Sequence, residues 1–228
     1  MSNTQANTKV ETSPKKDFGH NGNFVQENRK SLTFIIAAIV ALVVIYFAYQ
    51  KIYLGPRESE AQDQMHVAQE NWAKKDWDKA LKGDASYPGF EKIISDYSNT
   101  KAANLAYYYG GIAYLNKGEY RKAIDYLSNY HGDDSMVSAE ALGGTGDAYV
   151  ELKDLDKAAS YFKKAADKAN NKFLSPLYLK KLGLVYEAQN DNKSAVDAYK
   201  KIKSDYSDSA EAQNIDEYIA RAEAKLNQ

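Results

Sequence analysis

The sequence predicts an all-α protein, in which a single N-terminal transmembrane helix precedes a solenoid of helix-turn-helix units with a C-terminal capping helix. Two observations predict this architecture. An uncharged apolar run of 18 residues lies near the N-terminus, and after residue 105 one spacing of small and aromatic residues occurs three times. Such a period is typical of units that bury their apolar faces by stacking on their neighbours.

The recurring spacing starts at Gly111, where Tyr114 follows three residues later, Ala123 twelve and Leu127 sixteen residues later. The same offsets follow two later glycines, and the three glycines are 35 and 37 residues apart. These separations are close to the 34-residue period of tetratricopeptide repeats, so we predict a tetratricopeptide-repeat α-solenoid. The predicted packing positions are Gly111, Tyr114, Ala123 and Leu127, then Gly146, Tyr149, Ala158 and Phe162, then Gly183, Tyr186, Ala195 and Tyr199.

These residue types suit the place where the two helices of a unit cross. A glycine leaves room there for a close approach of the helices, although it costs roughly 1 kcal/mol relative to alanine inside a helix. That cost is tolerated only where the close packing of the two helices stabilises the fold by a larger amount. The aromatic positions are therefore predicted to fill the core, and we do not expect them to bind a ligand.

The composition narrows the class of protein. With 27% charged and 44% hydrophobic residues, the chain is typical of folded proteins. Residues 1–51 hold six Lys/Arg and three Asp/Glu, which leaves 24 and 28 for the rest of the chain. This mildly acidic remainder argues against a nucleic-acid-binding protein, which would show a basic face. The absence of cysteine excludes disulfides, thiolate metal sites and thiol catalysis.

The N-terminal region is predicted to contain a cytoplasmic tail and a membrane anchor. Residues 1–30 are polar and predict a mostly disordered tail. Residues 31–54 predict a transmembrane helix, because the uncharged run Leu32–Tyr49 would be about 27 Å long against a bilayer core of about 30 Å. A buried core helix and a cleaved signal peptide are the alternatives. A signal peptide has a shorter apolar region and a small-residue cleavage site, whereas bulky or charged residues follow this run.

Basic residues predict the orientation of this anchor. Four Lys or Arg residues between positions 15 and 30 precede the apolar run, and Lys51 and Arg57 follow it. The positive-inside rule then places the N-terminus in the cytoplasm and the repeat domain outside, in the periplasm if the membrane is a bacterial inner membrane. Gly55 and Pro56 are expected to break the anchor helix, because proline lacks the donor that a helix interior needs.

Residues 57–228 predict the repeat domain. The first repeat is atypical, since Ala68 replaces the packing glycine and the segment 82–89, rich in turn-forming residues, inserts a loop. This loop is either functional or a tolerated insertion. The final stretch carries apolar residues at helical spacing, namely Ile215, Ile219, Ala222 and Leu226. The predicted boundaries are 61–98, 101–134, 138–170 and 175–208 for the repeats and 209–227 for the capping helix.

No residue pattern indicates an enzyme, a cofactor or a metal site. The glycines of the segment 143–146 lie within a predicted helix, whereas a phosphate-binding glycine loop follows a strand and opens a helix. The histidines His20, His66 and His131 are far apart in sequence. His66 and Glu70 share a helix face, but a pair of this spacing is usually surface chemistry.

A protein-binding surface is predicted on the concave side, which the first helix of each repeat forms. Counting from the packing glycines gives eight positions on this side, with mixed polar and apolar side chains that suit an extended peptide or a protein segment. These positions are Tyr108, Ile112, Asn116, Asp147, Glu151, Lys180, Leu184 and Glu187.

The chain also resembles known families of the bacterial envelope. The segment VQENRKSLTFIIAAIVALVVIYFAYQK, followed by such repeats, resembles the YfgM-like proteins, ancillary subunits of the SecYEG translocon with one inner-membrane anchor and a periplasmic repeat domain. The resemblance implies association with the translocon and with periplasmic chaperones. The segment DYSNTKAANLAYYYGGIAY is similar to repeats of the BamD and CpoB families, although the lipid-bearing cysteine of BamD is missing.

Two functions follow as expectations. The first is a membrane-anchored, non-enzymatic accessory factor at the export translocon that contacts exported chains or periplasmic chaperones. The second is a structural adaptor for envelope assembly or cell division, in which the loop at 82–89 contributes contacts. Partner identity and oligomeric state do not follow from the sequence.

Overall fold

The structure is a computed structural model that describes residue 26 and residues 28–226. Most of the predicted tail, including His20, lies outside these residues. Contacts divide the chain into two units, Met1–Ile52 and Tyr53–Gln228.

The described part of the first unit is helical. Helix α1 spans Arg29–Ala48, and none of its residues is buried. The segment from Arg29 to Ala73 is helical, and it contains a window long and apolar enough to cross a membrane by length and composition.

The backbone stays helical through Gly55 and Pro56, so the prediction that these residues break the helix is wrong. A π-helical stretch, Tyr49–Leu54, precedes α2, which spans Gly55–Ala73. Pro56 lies in the first turn of α2. Proline lacks the N–H that a continuing helix would use, and the π-helical turns lie directly before the position where that donor is missing.

The second unit is an α-solenoid in which successive helices pack in antiparallel pairs, and the part of the chain that the structure describes contains no strand. The first pair consists of α2 and a second helix that an insertion divides into α3 and α4. Three pairs without an insertion, α5 with α6, α7 with α8 and α9 with α10, follow, and a 3-10 turn leads into α11. The bounds are α3 Trp77–Lys82, α4 Phe90–Asp96, α5 Lys101–Asn116, α6 Tyr120–Asn129, α7 Ser135–Glu151, α8 Leu155–Ala169, α9 Leu174–Ala188, α10 Asn192–Asp205, the 3-10 turn Glu211–Asn214 and α11 Ile215–Leu226.

The turn between the two helices of a pair has the same backbone form in all four pairs. One residue of each turn, five positions before the small residue of the second helix, has a positive φ of 61° to 76°. An aspartate follows it in three of the four turns and accepts a hydrogen bond from the amide three residues on, which caps the second helix. The positive-φ residues are Lys75, Gly118, Lys153 and Asn190.

The glycines lie where the helices cross, against the aromatic or aliphatic residue sixteen positions on. A Cβ atom added at Gly183 would lie 2.2 Å from Cε1 of Tyr199, and one at Gly146 would lie 2.7 Å from Cε1 of Phe162. At Gly111 the corresponding distance to Cγ of Leu127 is 2.6 Å. These contacts are too short for any residue other than glycine without a shift of the neighbour.

The insertion forms an ordered loop between α3 and α4. Gly83 and Pro88 form an antiparallel bridge, and the Asp84 carboxylate accepts hydrogen bonds from two amides further along the loop. Tyr87 is 50% exposed, whereas Phe90, the next residue after the loop, is fully buried. The loop therefore projects from the surface while the chain on either side stays in the core.

The last helix covers the apolar face of the final repeat. Ile215, Ile219 and Ala222 of α11 are buried, and α11 packs mainly against α10. Leu226 was predicted to share this face, but its side chain is 50% exposed, which corrects the prediction. The last turn extends past the apolar surface that the helix covers.

Candidate protein-binding surface

The concave surface is built from the first helices of the repeats, which lie side by side and parallel. The first turns of α2 and α5 meet at Glu58, whose carboxylate accepts hydrogen bonds from the Lys101 and Ala102 amides. Further along, the Tyr108 hydroxyl donates to Glu140 over 2.5 Å. Side chains about one repeat apart therefore meet on this surface.

Tyr108 is half-buried rather than exposed. Burial raises the pKa of its hydroxyl, and the Glu140 carboxylate, which accepts its hydrogen bond, raises it further. Tyr178 of α9 is buried close by, and burial raises its pKa too. A Cβ atom at Gly143 would lie 2.1 Å from the Tyr178 ring, so the glycines at 143–146 have packing roles. Tyr108 thus presents only part of its ring to a partner.

Asp147 is held by a residue of the next repeat, and Lys180 by residues of the 3-10 turn and of α11. Both carboxylate oxygens of Asp147 lie 2.8 Å from Nζ of Lys181. Nζ of Lys180 lies 4.3 Å from the centre of the Tyr218 ring and 3.3 Å from Oδ1 of Asn214. The charge of Asp147 is therefore neutralised by Lys181, and the Lys180 ammonium is held in place by neutral groups.

Glu187 was predicted to be exposed to a partner, and the structure corrects this prediction. Its side chain is only 8% exposed, because Arg221 and Lys225 of α11 cover it. Arg221 donates two hydrogen bonds to its carboxylate, and the Tyr199 hydroxyl donates a third over 2.8 Å. The Arg221 guanidinium beside it lowers the pKa of Glu187 to about 2, with help from Tyr199 and Lys225. Glu187 is therefore a structural anion that fastens the capping helix.

Four of the eight predicted positions remain available to a partner. Asn116 and Glu151 are exposed, Leu184 is 43% exposed and Ile112 is half-buried. Asn116 donates a hydrogen bond to the Ile112 carbonyl within its own helix, and among the described residues its amide oxygen accepts none. The available part of the concave surface is accordingly uncharged or weakly acidic, with two aliphatic side chains.

The predicted packing positions lie in or beside the core, and the three functional residues that the sequence did not reveal share one spacing. Most packing positions are buried, and Tyr149 and Tyr186 are half-buried. The missed residues are Glu140, Lys181 and Arg221. Each pairs with a residue 32 or 34 positions earlier, so a search for complementary side chains one period apart would have found them.

No cluster of three or more potential metal ligands is present among the described residues. Nδ1 of His66 lies 3.6 Å from Glu70, and both side chains are largely exposed. This pair is a surface contact, as predicted from its spacing.

Comparisons with known proteins agree with the geometry of the repeats. Two tetratricopeptide-repeat family models match the chain, one over residues 108–173 and the other over residues 181–209. No curated protein matches it. Tetratricopeptide repeats are generally non-enzymatic, and here they indicate a protein–protein interaction scaffold.

Solved structures show the same fold. Two crystal structures of MamA match with TM-scores of 0.51 and 0.52 at 21% and 22% identity. They cover 71% and 73% of this chain and 95% and 88% of their own. The tetratricopeptide-like repeats of a kinesin light chain from Podosopora anserina match with a TM-score of 0.56 at 13% identity, over 75% of this chain and 88% of that one. The second unit is therefore a tetratricopeptide-repeat-like solenoid.

Proposed function

We propose that the protein is a membrane-anchored scaffold of the bacterial envelope that acts at the protein-export translocon and contacts exported chains or periplasmic chaperones. The observation that carries this proposal is the combination of one apolar helix with a repeat solenoid. Side chains of α1 such as Phe34 and Leu42 are 76% and 66% exposed. Exposure of so many apolar side chains on one helix is favourable where lipid surrounds it.

The available concave side chains suit contact with an unfolded or extended chain. Ile112 and Leu184 offer apolar contacts, and neighbouring polar groups can bond a peptide backbone. The nearby ion pair of Asp147 with Lys181 neutralises charge within the protein. Binding there would therefore depend little on the sequence of the bound segment. Tolerance of this kind fits a factor that meets many exported chains.

A crosslinking experiment tests this function. A photoreactive amino acid is placed at Leu184 in the full chain in intact cells, and the matched control carries it at Leu152, which is 37% exposed and lies just beyond the end of α7. We expect adducts with translocon subunits or exported chains from Leu184 and few from Leu152. Equal yields from both positions, or adducts with neither class of protein, would contradict the proposal.

The orientation is testable separately. Protease added to spheroplasts should digest the part of the chain after residue 55 if the repeat unit is periplasmic. Full protection, with digestion only after lysis, would mean that the N-terminus faces outward.

A second candidate function is a structural adaptor for envelope assembly or cell division. The ordered loop between α3 and α4 favours it, because Tyr87 is held outward at 50% exposure. Replacing residues 84–87 with a glycine and serine linker should then remove one defined partner from a pull-down while the translocon crosslinks persist. An unchanged set of partners would count against this candidate.

A further inference from the structure

The second helix of the second pair is shorter than its equivalents. Helix α6 has 10 residues, against 15 in α8 and 14 in α10. In the longer helices the additional turn contributes buried side chains to the core, among them Ala165, Ala169 and Ile202. Helix α6 ends at Asn129, before the equivalent turn, so the core lacks that contribution at this place.

A cavity of about 570 Å³ opens where the turn is missing. Its bottom is formed by buried residues of α6 and α7, and its rim by exposed residues of α8 and of the chain after α6. One turn of an α-helix, a cylinder roughly 10–12 Å wide and 5.4 Å high, occupies roughly 420–610 Å³. The cavity, called the outer cleft below, therefore has room for about one helical turn. The buried lining residues include Leu127, Ser138, Ala141 and Thr145.

The rim of the outer cleft carries two lysines that are four residues apart. Lys164 and Lys168 lie on the same face of α8 and are exposed, separated by about 6 Å along the helix axis. Within the described part of the chain neither lysine makes an ion pair, although Nζ of Lys164 lies 4.9 Å from the centre of the Tyr161 ring. Asp133 is the one acidic residue among those that line the cleft.

The concave surface shows a different arrangement of charge. There Lys181 is paired with Asp147, and Arg221 and Lys225 are paired with Glu187. The two rim lysines of the outer cleft thus lack the carboxylate partner that Lys181, Arg221 and Lys225 have, whereas Lys180 on the concave surface contacts only a ring and a neutral amide. The hydroxyls of Ser138 and Thr145 on the floor donate to backbone carbonyls, so the floor offers mainly apolar contact. Unpaired cations above such a floor are complementary to carboxylates beside an apolar side chain.

We propose that the outer cleft binds one turn of an acidic amphipathic helix from a partner protein. An apolar side chain of this turn contacts Leu127, Ala141 and the half-buried Leu142, and two carboxylates four residues apart face Lys164 and Lys168. The incoming turn takes the place that the last turn of α8 or α10 occupies in its own repeat. Docking of an amphipathic helix in a groove is a common mode of peptide recognition.

Binding of a defined probe to the full chain in detergent micelles tests this proposal. The probe is a fluorescein-labelled alanine-based helical peptide with one leucine and two glutamates four residues apart, and a second probe carries lysines in place of the glutamates. Fluorescence anisotropy should show binding of the acidic probe that weakens as salt is raised. Lys164→Glu should weaken it at least fivefold, and Lys163→Glu, at the exposed neighbouring position, should change it less than twofold.

Crosslinking with the same acidic probe locates the site. A photoreactive residue at Ser128, an exposed residue of the cleft, should capture the probe, whereas one at Leu184 on the concave surface should not. Capture of the probe at Leu184 and not at Ser128 would overturn the proposed site in the outer cleft, and the function proposed for the concave surface would still stand. Equal binding of the two probes, equal effects of the two lysine substitutions, or no binding of the acidic probe would overturn it too.

Discussion

Removing the negative charge of Glu187 should loosen the capping helix. The carboxylate accepts hydrogen bonds from Arg221 and Lys225 of α11 and from Tyr199 of α10, so one group of α9 holds two further helices. Glu187→Gln keeps the size of the side chain and an oxygen for the Tyr199 hydroxyl. It removes the charge that the two cations require, and this makes it a cleaner test than truncation.

The size of the effect follows from the pKa of Glu187. A fall from the ordinary 4.5 to about 2 corresponds to a ceiling of roughly 3 kcal/mol at about 1.4 kcal/mol per pKa unit. The cations Arg221 and Lys225 are 47% and 45% exposed, so solvent screens part of the interaction. We expect Glu187→Gln to lower the free energy of unfolding by about 1–2 kcal/mol at neutral pH.

The sign of the pH dependence is fixed by the direction of the shift. Because the folded-state pKa is lowered, the stabilisation is complete well above 4.5 and is lost as the pH falls towards about 2. The difference in unfolding free energy between the wild type and Glu187→Gln should therefore shrink to less than half between pH 7 and pH 3.

Urea unfolding of the full chain in detergent micelles, followed by circular dichroism, measures this difference. Glu217→Gln is the matched control, because Glu217 lies on α11 and is exposed. The reasoning is refuted if the two substitutions have equal effects at pH 7, or if the effect of Glu187→Gln does not change between pH 7 and pH 3.

Three further substitutions test other parts of the fold by the same unfolding measurement. Gly183→Ala should cost about 1–3 kcal/mol despite the better helix propensity of alanine, because its Cβ would lie 2.2 Å from the Tyr199 ring; unchanged stability would mean that the ring moves at little cost. Lys153→Gly should raise the unfolding free energy by about 0.5–1 kcal/mol, since glycine adopts the positive φ of 62° without strain; a loss of stability would show that the Lys153 side chain matters more than its backbone. Glu58→Ala should cost about 1 kcal/mol, because the Lys101 and Ala102 amides at the start of α5 lose their acceptor, and Asp63→Ala, an exposed position on the same helix, should not.

The repeat spacing predicted the crossings because they depend on local geometry. A glycine at Gly111, Gly146 or Gly183 and a bulky residue sixteen positions on meet whenever two helices of this length are joined by the same turn. The turn is set by the residues at its own place, such as Asp154 after Lys153. Each of these features needs only one repeat, so the sequence of that repeat contains the information.

Exposure of the concave residues could not be predicted in this way because it depends on the neighbouring repeat. Glu187 has the helical position of an exposed residue within its own repeat. Its burial comes from Arg221 and Lys225, which lie 34 and 38 residues later. The continuity of the helix through Pro56 has a local origin instead, since the π-helical turns Tyr49–Leu54 come directly before it and the proline alone does not reveal them.

The distribution of paired and unpaired charge separates the two candidate surfaces. On the concave side, polar side chains of neighbouring repeats pair with each other: Tyr108 donates a hydrogen bond to Glu140, and Asp147 forms an ion pair with Lys181. A partner there gains little from charge, and contacts with apolar side chains and exposed polar groups decide its affinity. The outer cleft exists because α6 ends early, and the helical turn that would have filled it is absent. The outer cleft can therefore bind a helical turn of the missing size whose carboxylates face Lys164 and Lys168. Selectivity for one partner should lie at this repeat, whose second helix is shortened.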